Sequence, residues 1–112
     1  MSDNSDAELL ARQHRFLEQV EYAIRIANRK IIHKYVSKIT RDDVLKLAMT
    51  VGEIRARYLQ AALKLVDREE GVVPDASEIS RLAKARETFD EAVAAFEALR
   101  RAIERGYVDV KD

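Results

Sequence analysis

A 112-residue chain with no cysteine, and with 20 basic side chains cancelling 20 acidic ones, excludes several protein classes at once. It is long enough for one domain with its own core, but has no thiol for a disulfide framework, a thiolate metal site or a cysteine nucleophile. With zero net charge, no global field draws the chain to nucleic acid or anionic lipid.

No apolar run approaches the ~20 residues of a membrane span. The opening MSDNSDAE is acidic and polar, unlike an export signal. A cytoplasmic protein is expected. Abundant Ala, Leu, Glu, Arg and Lys, with few Gly and Pro, favour helix nearly throughout.

The first helix is predicted over about 6–36, capped by Ser5 or Asp6 with Glu8 near its positive end. Leu10, Leu17, Ile24 and Ile31 recur at spacing seven, joined by Val20, Ala27 and Tyr35. The stripe fails at Lys34, Lys38 and Arg41, which places a turn near Ser37–Ile39. Thr40 with Asp43 then resembles a capping box. Neither glycine nor proline enforces that turn. One continuous helix, swapped into a dimer, is therefore the alternative.

The second helix is predicted over about 41–70. Val44, Val51, Tyr58 and Leu65 form its spacing-seven line, beside Leu47, Ile54, Ala61 and Ala62. Leu45, Ala48, Met49, Gly52, Ala56, Leu59, Leu63 and Val66 widen the apolar arc past half the circumference. A helix this apolar is expected to be covered on two or more sides. Gly71, Val72 and Pro74 mark its end.

Asp75 and Glu78 match the start of a third helix over about 76–105, carrying Leu82, Phe89, Phe96 and Ile103 at spacing seven. Gly106 ends it. The tail 106–112 is too short for a domain, and Tyr107 and Val108 are expected to fold back over the last turn.

Short connections and sustained spacing of seven predict an all-α fold for the single domain 1–112. Its form is an elongated antiparallel three-helix bundle with coiled-coil-like packing, expected to dimerise. The layout is spectrin-like in length and helix count, an analogy of architecture that carries no function.

Arg55 falls inside the apolar arc of the second helix, level with Glu18, Glu21 and Tyr22 on the first and with Glu87, Asp90 and Glu91 on the third. It reads either as a grip for an anionic ligand or as an internal ion pair with its stem on the core. Arg86 and Arg100 occupy similar edges of the third helix and complete a candidate ligand set. Asn28 lies on the apolar side of the first helix, where polar residues specify register.

Arg25, Arg29, Lys30, His33 and Lys34 form a basic strip, a candidate phosphate-binding surface with Tyr22 available for stacking. The plainer reading is positive charge set near a helix C-terminus. His14 and Glu18 share a face, but two side chains do not make a metal site, so no metal or cofactor is expected. The serines have no identifiable base, and the glycines stand alone.

Gly52, with Ala48 and Ala56, makes a small-residue ridge that invites close approach of another helix. Tyr22 and Ile26 lie outside the core of the first helix. These five residues are the candidate oligomer interface. The leading expectation is a non-enzymatic interaction or scaffolding module that self-associates, with a homodimer and a partner protein as its partners. The alternative is a small dimeric helical enzyme, or an anion-binding protein, with an arginine site between helices. Weak nucleic-acid binding through the basic strip comes third.

Overall fold

The computed structural model describes residues 3–112. It is mostly helical, with α1 (Asp3–His33), α2 (Arg41–Leu63) and α3 (Ala76–Glu104). Two strands of two residues each, β1 (Ile39–Thr40) and β2 (Val110–Lys111), form a small ladder. The chain divides into two compact units, one holding α1 through Ile39 with Ala102–Lys111, the other holding Thr40–Arg101 with Asp112.

In the first unit, α1 begins at Asp3, ahead of the caps expected at Ser5 or Asp6, and stops at His33 rather than near 36. The chain leaves the helix through tightened turns, with the N–H groups of Lys34 and Tyr35 donating to carbonyls three residues back. The break falls before Thr40, so α1 and α2 are separate helices and not one continuous rod. Ile39 then extends, and its N–H donates to the Asp109 carbonyl at 2.8 Å.

Gly106, at φ 71°, is the left-handed residue that ends α3. Its N–H donates to Ile103 and that of Tyr107 to Ala102, the paired bonds of a Schellman motif. Beyond this turn the tail runs to the end of α1 and to Ile39, where Arg29 and the Ile39 N–H meet Asp109. Val108 is buried, as is Ile39.

In the second unit, α2 and α3 pack against each other in antiparallel fashion. Tyr58 meets Phe89 with ring centroids 5.7 Å apart, and Arg68 near the far end of α2 pairs with Glu78 near the start of α3. Val44, Leu47, Val51, Ile54, Tyr58, Ala61 and Leu65 follow one another in alternating steps of three and four, and all are buried or half-buried. On α3, Leu82, Ala85, Phe89, Ala92, Phe96 and Leu99 do the same. These two lines are what the pair buries.

Thr40 caps α2 in a full capping box. Its hydroxyl accepts from the Asp43 N–H at 3.1 Å, and the Asp43 carboxylate accepts from the Thr40 N–H at 2.9 Å. Asp75 and Glu78 cap α3 likewise, the Asp75 carboxylate accepting from the Glu78 N–H at 2.8 Å.

The expected end of α2 near 70 is corrected to Leu63. Beyond it, Leu65 and Val66 donate to carbonyls three residues back, which tightens the helix and ends it. Arg68 donates to the Leu65 carbonyl at 3.0 Å and pairs with Glu78, holding the connection. Gly71, at φ 85°, therefore serves this loop and not a helix terminus.

The capping box makes a prediction. Hydrogen bonds from the Thr40 backbone N–H, then its side chain, hold the Asp43 carboxyl below its ordinary value of 3.8. Its contribution to stability is thus complete above that value and lost as pH falls through the lowered one. Thr40→Ala should cost ~1 kcal/mol in denaturant unfolding at neutral pH. Asp43→Asn should flatten the acid limb of a circular dichroism titration below about pH 4.

Candidate functional site

Two regions collect polar groups, one in each unit. In the first, Arg29 and His33 lie one turn apart on α1 and share a face. Arg29 donates to the Gly106 carbonyl at 3.3 Å and forms an ion pair with Asp109. His33 Nδ1 lies 4.0 Å from the same carboxylate. Asp109 thus accepts through its carboxylate from α1 and through its carbonyl from Ile39.

Beside this junction lies an open cleft of about 620 Å³, lined by Glu18, Glu21, Tyr22, Arg25, Arg105 and Tyr107 among others. The Arg25 guanidinium stacks on the Tyr22 ring at 5.3 Å. Hydrogen bonds from Arg105 and then Asn28 hold the Tyr107 phenol below its usual range. Asn28 therefore has a partner in the tail. Glu18 pairs with His14 at 2.8 Å. Glu18, Arg25 and Arg105 thus each have a partner, in His14, the Tyr22 ring and the Tyr107 phenol.

Of the basic strip, Arg25 and Arg29 are engaged as described, His33 faces Asp109, and Lys30 and Lys34 are exposed. In the second unit the Arg55 guanidinium stacks over Phe89 at 5.4 Å, so its neighbour on α3 is a ring flanked by the expected carboxylates. Arg86 is exposed, and Arg100 lies 3.8 Å from Glu97. Arg86 and Arg100 sit on one helix ~21 Å apart by helical rise, too far to close on one small ligand.

Among the candidate interface residues, Tyr22 and Ile26 are exposed, as is Ala56, while Ala48 and Gly52 are half-buried. A second, apolar groove of about 460 Å³ runs along α2 and its end, lined by Ala56, Leu59, Gln60, Leu63, Lys64 and Asp67. Among the described residues no cluster of His, Asp or Glu is arranged to hold a metal ion. No helix there is long and apolar enough to cross a membrane.

No protein-family model, curated protein or solved structure matches this chain.

Asp109, Arg105 and Arg68 were not singled out by sequence reasoning. Asp109 had one signal: an acid following the Gly106 stop, within reach of a helix end rich in basic residues. Nothing local marks Arg68, whose partner lies across a loop. The Arg29–Asp109 pair is about half exposed and is worth under ~1 kcal/mol. Asp109→Asn should leave helix content unchanged and speed amide exchange at Ile39 by no more than roughly fivefold, measured by NMR.

Proposed function

We propose that this chain is a non-enzymatic helical interaction module that self-associates, forming a homodimer through apolar helix faces its own fold leaves uncovered. One observation carries the reading. Among the described residues only Ile39, Val51 and Val108 are buried apolar side chains, against nineteen large apolar residues left exposed.

The exposed set is ordered. On α1, Leu10, Leu17, Ile24 and Ile31, the spacing-seven line, all remain exposed, with Phe16 and Leu9 beside the first two. Every residue from 4 to 19 is exposed. On α2, Leu45, Met49, Leu59 and Leu63 are exposed along the side away from the buried line, and Val66 just past its end is exposed too. Apolar patches of this extent mark association surfaces. Each large apolar side chain fully covered by a partner stabilises the complex by ~1.5–3 kcal/mol before the cost of ordering. Repeats at spacing seven support coiled-coil-like packing in the assembly.

The other readings draw less support. Arg29, central to the basic strip, is already tied to Asp109, and Arg55 has a ring for a neighbour. A cytoplasmic setting fits a chain without cysteine.

Sedimentation velocity should give twice the 12.8 kDa mass of one chain at high-micromolar concentration. The thermal midpoint should rise with concentration, as it does when association and folding are linked. A strict monomer with a concentration-independent midpoint would overturn the proposal.

A further inference from the structure

Resting on that reading, we infer that the outer side of α2 receives α2 of a second copy, antiparallel, about a twofold axis at the level of Arg57 and Tyr58. Leu45, Met49, Gly52, Ala56, Leu59, Leu63 and Val66 follow one another in alternating steps of four and three. That is the spacing of a two-helix seam. The line facing α3 has the same spacing and is covered. Of this outer line Gly52 alone is half-buried, and the rest are exposed.

Gly52 points outside the chain. A Cβ built there meets nothing within 4 Å, so no contact within the chain requires glycine. Mid-helix glycine nonetheless costs ~1 kcal/mol against alanine. Backbone or a large side chain approaching from another molecule supplies the missing reason.

The stated register uses that gap. It sets Leu63 of the second copy against Gly52 and Leu59 against Ala56, so large side chains meet small ones across the central layers. The groove of about 460 Å³ that starts at Ala56 is the hole that Leu59 of the second copy enters. Met49, 70% exposed and unbranched, fits the outer layer.

Charge agrees with the same register. Antiparallel seams pair equivalent flanks of the two helices. One flank carries Lys46, Glu53 and Gln60, with Asp67 just past the helix end, which sets Glu53 against Gln60 and brings Lys46, paired with Asp42 at 3.0 Å within its own chain, within reach of Asp67 of the second copy. The opposite flank carries Ala48, Arg55 and Ala62, which sets Arg55 against Ala62 and keeps the two guanidinium groups apart. A parallel pairing would instead join unlike flanks, setting Arg55 against Gln60 and Lys46 beside Arg41 of the second copy.

The absence of cysteine makes the test clean. A mixture of Ala56→Cys and Leu59→Cys full-length proteins should form a disulfide-linked dimer under mild oxidation, faster than either alone and faster than Ala11→Cys. Gly52→Leu, whose Cβ meets nothing within the chain, should keep its helicity and weaken dimerisation by roughly a hundredfold.

A Gly52→Leu protein that dimerises like the parent overturns this inference but leaves self-association standing. So does preferential cross-linking of Leu59→Cys to Leu17→Cys, which would make α1 the occupant. A parent protein that stays monomeric at high-micromolar concentration overturns both.

Discussion

Helix α2 carries two apolar lines on different sides and has, within its own unit, one helix, α3, against which to lay them. A helix cannot turn both sides to one partner. The line through Val51 and Tyr58 is the one covered, and the line through Met49 and Leu59 is left in water. Much else in the second unit follows from this choice. Phe89 packs on Tyr58, Arg55 lies over the same ring at the edge of the contact, and the connection is tied down by Arg68 and Glu78. The pair is well joined, yet only Val51 in it is buried. Within this unit one side of α2 is half-buried and the other is exposed.

The first unit meets the same shortage differently. Its helix is long and mostly uncovered, so order concentrates at the C-terminal end of α1. There a tail of a few residues supplies what a neighbouring helix would otherwise supply. Val108 and Ile39 give the small apolar centre, and Asp109 gathers Arg29, His33 and the Ile39 N–H around one residue. Positive charge at that end of α1 was readable as compensation for the helix dipole. The carboxylate shows a second use for it, in holding the tail.

What was legible from residues alone was local. The Thr40–Asp43 and Asp75–Glu78 caps and the Gly106 stop each depend on a few neighbouring residues, and all three stand where the pattern put them. The end of α2 was not legible in the same way, because the apolar pattern runs on to Val66 while hydrogen bonding changes at Lys64. Periodicity describes side chains, and helix termination here is a backbone event. Arg55 shows another limit. Level-matching put carboxylates at its height on α3, but the face that α3 turns toward it is the Phe89 face. The excess of apolar surface on α2 was readable from composition of the helix alone. Asp109 had only its place after the Gly106 stop to mark it, because Arg29 lies eighty positions away.

The uncovered first half of α1 carries a thermodynamic consequence of its own. Sixteen successive residues without a packed face depend on intrinsic propensity and local pairs such as His14 with Glu18, and isolated stretches of that length are marginal in water. Any surface that covered this segment would join its winding and its docking into one event.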